Sequence, residues 1–401
     1  MLVLISTLLI QAVASLSSVA MPVLVAGTAD TLGVGPAGLG RYMMCLYAGA
    51  IGSSVLAGAS IARFGPIRAS QGALLLCALG LAVCAIGPGW LLPGALLLGC
   101  GYGPITPASS ALLARSTPAA RRNLVFSIKQ TGVPLGGALA GLLVPALLYA
   151  GSWRFVLGVL AACNVLCALS AEPIRRDLDR GAGELPFARA DLWTPVRLVW
   201  QAPELRLLAF GSLCFSAIQL CVTTYLTIFL VDDHGLDLAT AGACLALAQA
   251  GGVGGRIVWG WLSDRWLGAV RMLLVLAMIV IVCCIALGLA GGADTSTMRR
   301  LLPGVCAVLG MSAIGWNGVY LAEVAARCGP GQAGMATAGA LAFTFVGVMV
   351  GATLFGHAAQ HWIGFGWAFV SLSLPATVIA GLMLTLLRRR AAAGPAEPPA
   401  A

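Results

Sequence analysis

The segment Arg256-Ile257-Val258-Trp259-Gly260-Trp261-Leu262-Ser263-Asp264-Arg265 ends a long apolar stretch with an acidic and a basic residue. A related segment, Gly58-Ala59-Ser60-Ile61-Ala62-Arg63, ends an earlier apolar stretch, and its glycine precedes Gly260 by 202 positions. Two further pairs repeat at offsets of 211 and 214, Leu98-Gly99 with Leu309-Gly310 and residues 151–156 with 365–370. Because small loop insertions lengthen such offsets gradually, the pattern predicts a duplicated unit and two related halves.

Apolar residues dominate the whole chain. Of 401 residues, 60% are hydrophobic and 9% are charged, whereas a soluble domain carries roughly 25% charged residues. A helix needs about 20 apolar residues to cross a bilayer, and twelve such stretches occur: 2–25, 42–61, 68–87, 91–114, 122–149, 153–171, 207–230, 239–262, 272–290, 301–325, 334–358 and 366–387. The prediction is an all-α integral membrane protein, with twelve transmembrane helices in two pseudo-symmetric six-helix bundles.

The stretches divide the chain into four regions. Residues 1–171 are predicted to form the N-terminal six-helix bundle, and residues 207–390 the C-terminal one. Residues 172–206 are rich in charge and proline and are predicted to be a cytoplasmic central loop. Residues 391–401 are rich in alanine and proline, which predicts a disordered cytoplasmic tail.

Basic residues are distributed unevenly between the two ends of the predicted bundle. With the N-terminus inside, 17 of the 23 Lys and Arg residues lie in inner segments and four lie in outer segments. Because cytoplasmic loops carry the excess of positive charge, we expect a multi-pass protein of the inner (plasma) membrane with both termini in the cytoplasm. A cleaved signal peptide is the alternative for the first stretch, although no basic segment precedes it.

Other classes of function have little support in the sequence. The 13 cysteines are scattered through apolar stretches without metal-binding spacing, so we interpret them as small packing residues and expect no metal. No HExxH or GxSxG motif occurs, and we expect neither enzyme activity nor a cofactor. The net charge of +9 lies in short loops rather than on one basic face, which argues against a nucleic-acid partner.

The repeated segment resembles a family signature. In the major facilitator superfamily of secondary transporters, the segment after spans 2 and 8 reads roughly G-x-L-x-D-R-x-G-R-R, and the copy that contains Gly260, Asp264 and Arg265 keeps this pattern. The first copy has Ala62 where the family has aspartate. The resemblance covers essentially the whole chain. It implies alternating access around a site between the halves, with Gly260, Asp264 and Arg265 steadying the cytoplasmic side of the second half.

Two basic residues lie inside predicted spans. Lys129, the only lysine, follows Arg122 by seven residues, which places it about 10 Å into span 5. Arg256 precedes Asp264 by eight residues and lies about 12 Å from the same side. A charge at the centre of a span costs on the order of 2.5–3.5 kcal/mol when it faces lipid, so we expect both side chains to face a water-filled cavity. Snorkelling to the headgroups is the alternative.

A cavity with two cations and no deep carboxylate favours an anionic substrate. The segment from Arg256 to Asp264 is also similar to the eighth helix of monocarboxylate and oxalate/formate transporters, in which an arginine serves the substrate carboxylate. The monocarboxylate branch has an aspartate where this chain has Gly252. Glu323, four residues before Arg327, is interpreted as a helix pair or a gate contact. The predicted substrate-binding residues are Lys129, Arg256, Gln130, Tyr102, Trp316, Asn317 and Gln249, although each polar one could instead form an interhelical hydrogen bond.

The sequence therefore predicts a secondary active transporter for a small organic anion, a carboxylate, with a proton or a counter-anion as the candidate coupling ion. We expect a monomer surrounded by the lipid bilayer. Three alternatives are a multidrug or other small-molecule efflux transporter of the same superfamily, a sensor on the same fold that binds a ligand without flux, and a membrane enzyme.

Overall fold

The structure, a computed structural model, describes residues 2–32, 36–179, 193–236, 238–289, 296–329 and 331–392. Within these ranges the regular secondary structure is helical. Eleven helical segments are long and apolar enough to cross a membrane. The last of them, Ala333–Arg389, contains two spans, because Gly364 adopts a φ of 73° and interrupts the helix. The expected twelve spans are therefore confirmed.

The described residues form 18 α-helices, of which 16 build the spans. In the first half, spans 1 to 6 are α1 (Leu2–Leu32), α2 (Pro36–Phe64), α3 (Pro66–Ile86), α4 (Leu91–Tyr102) with α5 (Ile105–Ser116), α6 (Arg122–Gln130) with α7 (Gly132–Ala150), and α8 (Trp153–Ser170). The central segment contains α9 (Glu172–Leu178) and α10 (Thr194–Gln201). Spans 7 to 12 are α11 (Pro203–Asp232), α12 (Leu238–Leu262), α13 (Ala269–Leu289), α14 (Ser296–Ala313) with α15 (Asn317–Ala326), α16 (Ala333–Ala358), and α17 (Gly364–Ser371) with α18 (Ser373–Ala392).

Two of the predicted region boundaries lie inside helices. Helix α11 begins at Pro203 rather than at 207, and α18 continues to Ala392, past the predicted start of the tail at 391. The rest of that tail and residues 180–192 of the predicted central loop lie outside the described residues. The exact residue bounds of the two bundles, the central loop and the tail therefore remain predictions.

The same pairs of spans pack together in each half. Span 1 packs on span 5, span 2 on span 4 and span 3 on span 6. The corresponding pairs in the other half are span 7 on span 11, span 8 on span 10 and span 9 on span 12. The same pairing of spans in both halves is expected of two six-helix units related by pseudo-symmetry.

Spans 4 and 10 are interrupted near their middle, where the sequence places glycine with proline or tryptophan. Gly103 and Pro104 separate α4 from α5, and a turn that ends at Trp316 separates α14 from α15. Proline cannot donate the helical hydrogen bond. Glycine permits a close approach, since a Cβ on Gly103 would lie 2.3 Å from the carbonyl oxygen of Ala50.

The two halves touch at one end of the bundle. We call the end at which the described chain starts and stops the terminal end, and the other end the distal end. Close to the terminal end, α6 packs on α12 and α15, while α16 packs on α2 and α5. In the described part of the chain, α7 and α14 lead towards the distal end and pack extensively only within their own halves. The described parts of the two halves are thus in close contact at the terminal end and apart at the distal end.

The central segment is attached to both halves. The Asp179 carboxylate accepts hydrogen bonds from the backbone N–H groups of Ile67 (2.8 Å) and Arg68 (3.0 Å) at the start of α3. Partial burial raises the pKa of this carboxyl, although the two backbone donors act in the opposite direction. At the other end, α10 packs on α16, where a Cβ on Gly339 would lie 2.1 Å from the carbonyl oxygen of Pro195. The segment therefore links the two bundles through specific contacts.

Candidate functional site

A cavity of about 140 Å³ lies between the two halves, on the distal side of the closed contacts. Fifteen residues line it: Tyr47, Tyr102, Thr106, Gln130 and Val133 from the first half, and Ser216, Gln219, Leu220, Arg256, Trp316, Asn317, Leu341, Thr344, Phe345 and Val348 from the second. Five of the predicted substrate-binding residues are among them, namely Tyr102, Gln130, Arg256, Trp316 and Asn317. The wall is mixed apolar and polar, and Arg256 is its only charged member.

Arg256 is buried at this wall and connects the two halves. Its Nε donates to the carbonyl oxygen of Ile314 at 3.3 Å, in the turn that interrupts span 10. Ile314 can accept this hydrogen bond because carbonyl groups at a helix end lack helical partners. A terminal guanidinium nitrogen donates to the carbonyl oxygen of Gln130 in the other half. A guanidinium has five N–H groups, and three of those of Arg256 take part in neither bond.

Lys129 lies behind the cavity wall. Its Nζ donates to the side-chain oxygens of Gln11 at 2.7 Å and Gln130 at 3.1 Å, and the residue is 2% exposed. The same Gln11 oxygen accepts a hydrogen bond from Thr106 at 3.0 Å. The ammonium is therefore held by neutral amides within the first half and acts on the cavity through its charge alone in this conformation.

Gln219 joins two of the predicted residues. Its side-chain oxygen accepts hydrogen bonds from the indole N–H of Trp316 at 3.0 Å and from the Asn317 amide at 3.1 Å. The Trp316 ring also stacks on Phe215 with 4.9 Å between ring centroids. These contacts fix the orientation of the wall on the side of the second half.

Ser216, Thr344 and Phe345 are among the wall residues that sequence reasoning missed. Each lies inside a span without a break, a charge or a neighbouring polar cluster to mark it. Gln249, predicted to bind substrate, is exposed on α12 and lies outside the cavity wall.

Three residues one helical turn apart on span 8 contact α6. Arg256 bonds to Gln130, and the next turn carries Gly260, on which a Cβ would lie 2.7 Å from the Cβ of Ser127. Gly318 approaches Ser127 from span 10, where a Cβ would lie 2.2 Å from the Ser127 Cα. No larger residue fits either position while the halves are in contact.

Asp264 completes this set at the terminal end. Its carboxylate accepts hydrogen bonds from the backbone N–H of Leu124 at 2.9 Å, and from the backbone and side-chain nitrogens of Asn123 at 3.2 and 2.6 Å. The first N–H groups of a helix lack helical partners and carry partial positive charge, so a carboxylate there is stabilising. We call the contact of Arg256, Gly260 and Asp264 with α6 the polar seam.

The second contact between the halves, which we call the apolar seam, joins α2 to α16. A Cβ on Gly58 would lie 3.3 Å from the Met335 Cγ, and Ile61 packs with Ala338 in one apolar cluster. Ala62 stands at the position equivalent to Asp264, and the N-terminus of α16 has no side-chain cap at Gln332. The halves therefore meet here mainly through small and apolar groups.

The remaining predicted structural residues lie at the terminal end. Glu323 is 7% exposed and accepts a hydrogen bond from the Nε of Arg327 at 2.7 Å, an i,i+4 ion pair. Arg327 also pairs with Glu204 at the start of α11, so this network ties spans 7 and 10 together. Arg265 follows Asp264 in the wide turn after α12 and is exposed.

Twelve spans, two halves closed at one end and a polar cavity between them define a multi-pass membrane transporter. The chain belongs to the Major Facilitator Superfamily, whose family model matches residues 3–338. This confirms the resemblance seen in the sequence. It also agrees with the expectation that the protein is not an enzyme, because the relatives and structural neighbours are transporters.

The two relatives named here match this chain over about two-fifths of their own length. The chain is 22% identical over 174 residues to the hexuronate transporter of Bacillus subtilis (strain 168), which covers 42% of this chain and 41% of that protein. It is 30% identical over 200 residues to the gallate transporter of Pseudomonas putida, covering 42% and 44%. A crystal structure of the E. coli transporter FucP in the outward conformation superposes with a TM-score of 0.76 at 16% identity, over 95% of this chain and 98% of that one, which shows the fold.

Proposed function

We propose that the protein is a secondary active transporter that moves a small organic anion, with a carboxylate group, through the central cavity by alternating access. The observation that carries this proposal is Arg256, the only charged residue among the fifteen that line the cavity. A buried guanidinium without a carboxylate in the same wall attracts anions and repels cations. Hexuronate and gallate, for which two relatives are named, are both carboxylates.

The terminal end is the cytoplasmic end in this proposal, because most basic residues lie in segments on that side. The described conformation is then open to the outside. A substrate reaches the cavity from the distal end, and the polar and apolar seams separate it from the cytoplasm.

Arg256 couples binding to the seam. In the closed form one guanidinium nitrogen donates to the Gln130 carbonyl oxygen across the halves. A carboxylate accepts two parallel hydrogen bonds from a guanidinium. A carboxylate held by the three remaining N–H groups competes with that carbonyl group for the position of the Arg256 side chain. A ligand shifts a conformational equilibrium only by contacting the two states differently, and this competition is such a difference. A proton or a counter-anion supplies the driving force.

The test is uptake into proteoliposomes of radiolabelled carboxylates, sugars and cationic drugs, with either a pH gradient or an internal counter-anion. Loss of a charged hydrogen bond costs about 1.5–3 kcal/mol, so Arg256→Gln is expected to lower carboxylate uptake by about 10- to 150-fold. Arg271→Gln, which removes an exposed arginine at the start of α13, serves as the matched control and is expected to transport normally. Flux of a neutral or cationic compound that is indifferent to Arg256 would overturn the proposal and favour the efflux alternative.

A further inference from the structure

We propose that the transported anion carries a flat aromatic ring beside a single carboxylate, so that compact aromatic monocarboxylates bind in preference to polyhydroxylated sugar acids. This inference rests on the proposed function and names its substrate class. Three features of the cavity wall carry it: its rings, its engaged serine and threonine hydroxyl groups, and its single charge.

Aromatic rings from both halves meet in the wall. Phe345 of span 11 packs against Tyr47 and Tyr102 of the first half, with ring centroids 5.9 and 6.5 Å apart and tilts of 43° and 47°. Trp316 adds a fourth ring, held by its stack on Phe215. Aromatic pairs are favourable in tilted or offset arrangements at about 4.5–7 Å. A planar ring that enters this space extends an existing aromatic cluster.

Three hydroxyl groups of the wall already donate to protein acceptors. Thr106 donates to Gln11 at 3.0 Å, Ser216 donates to the Thr344 carbonyl oxygen at 2.8 Å, and the Thr344 hydroxyl donates to Ser212 at 3.0 Å. The Gln219 side-chain oxygen is likewise occupied by its two donors.

A sugar acid brings several hydroxyl groups that leave water on binding. Each one that finds no partner weakens binding by about 5- to 150-fold. Because the hydroxyl protons of Thr106, Ser216 and Thr344 are already engaged, the wall has few partners to offer such a ligand. The C–H groups at the unsubstituted edge of an aromatic ring need no hydrogen-bond partner.

The wall offers one charge for one carboxylate. The three N–H groups of Arg256 that are not used by Ile314 and Gln130 can serve a single carboxylate. Lys129 donates to glutamine oxygens behind the wall and offers no second anion contact in this conformation. A dicarboxylate would place its second charge against apolar residues such as Leu220 and Val348.

The test is calorimetric titration of the purified full-length protein with four compounds: benzoate, cyclohexanecarboxylate, glucuronate and benzyl alcohol. The first two share size and charge but differ in aromaticity. Benzoate is expected to bind about 2- to 12-fold more tightly than cyclohexanecarboxylate and more than about tenfold more tightly than glucuronate, with no binding of benzyl alcohol. Cyclohexane is the more hydrophobic ring, so a purely hydrophobic site would bind cyclohexanecarboxylate more tightly than benzoate. That result would overturn the inference.

The same titrations separate this inference from the proposed function. If glucuronate binds at least as tightly as benzoate and both depend on Arg256, the aromatic inference fails and the anion transporter stands. If Arg256→Gln changes the binding of no carboxylate, the proposed function fails as well.

A pair of phenylalanine variants tests the aromatic wall directly. Phe345→Leu is expected to weaken benzoate binding by about 2- to 12-fold and to leave cyclohexanecarboxylate binding within about twofold. The control is Phe343→Leu, because Phe343 lies outside the cavity wall and packs against Phe210 at 5.5 Å. An equal loss for both ligands in Phe345→Leu would contradict a ring-specific contact. Should that variant not fold, the wild-type ligand series still decides the question.

Discussion

The polar seam and the apolar seam close the same end of the molecule with different chemistry. In the polar seam, Asp264 accepts hydrogen bonds from the start of α6 and Arg256 bonds to its last residue. In the apolar seam, the equivalent of Asp264 is Ala62, and Gly58 faces the flexible side chain of Met335. The duplicated segments have thus diverged at two of these three positions, since Ser54 stands where the second half has Arg256 and Ala62 where it has Asp264. Directional bonds are therefore concentrated in the polar seam.

This difference has a consequence for transport. The apolar seam resists separation through close packing, and apolar contacts can slide and separate gradually. The polar seam resists separation through bonds that either form or break, since hydrogen bonds weaken steeply with angle and distance. A substrate that takes Arg256 from Gln130 therefore acts on the polar seam first.

The largest expected effect comes from filling the glycines at equivalent positions of the two seams. A Cβ on Gly260 meets the Ser127 Cβ at 2.7 Å, whereas one on Gly58 meets the Met335 Cγ at 3.3 Å. Overpacking costs about 1–3 kcal/mol, so Gly260→Ala is expected to lower the population closed at the terminal end by about 5- to 150-fold. Gly58→Ala is expected to change it little, because the methionine side chain can move.

The population closed at the terminal end can be measured by single-molecule energy transfer between fluorophores on non-natural amino acids at positions 120 and 271. Both positions are exposed at the terminal end, and they lie in different halves. Equal effects of the two alanine variants would contradict the distinction between the seams.

An intermediate effect is expected from Asp264→Ala. Loss of a side chain that caps a helix N-terminus costs about 0.5–2 kcal/mol, which corresponds to a decrease of about 2- to 30-fold in the closed population. The same energy-transfer pair reports it. The exposed neighbour Arg265→Ala is the control, and an effect as large as that of Asp264→Ala would mean that general charge, not the cap, holds the end closed.

The smallest expected effect comes from making the apolar seam polar. Ala62→Asp places a carboxylate near the uncapped start of α16, where the helix dipole favours negative charge by about 0.3–1 kcal/mol. The closed population is expected to rise by about two- to fivefold, and Ala62→Asn provides the uncharged comparison. A fall in the closed population would show that the two seams are not equivalent in geometry.

Much of the fold could be predicted from local signals. Apolar length gave the twelve spans, and glycine with proline or tryptophan marked the interruptions at Gly103 and Trp316. Charge inside an apolar stretch identified Arg256, because such a residue cannot remain in lipid.

The packing of distant segments could not be predicted in this way. The depth of Lys129 follows from counting residues, but the rotation of α6 that points it at Gln11 depends on a contact 118 residues away in sequence. Thr344 and Phe345 belong to an uninterrupted helix, so their place in the wall follows only from how span 11 packs against span 2. The spacing of four residues between Arg256, Gly260 and Asp264 does indicate one helix face, and only the fold shows that this face meets α6.

The most direct test of the polar seam is hydrogen–deuterium exchange of residues 122–130 in lipid nanodiscs, for the wild type, Asp264→Ala and Asp264→Ala with Ala62→Asp. In the wild type the N–H groups of Asn123 and Leu124 are bonded to Asp264 and should exchange slowly. Exchange in α6 is expected to rise by about 2- to 30-fold in Asp264→Ala and to fall partway back in the double variant. Unchanged exchange in α6 after the loss of Asp264 would contradict the claim that this seam holds the terminal end closed.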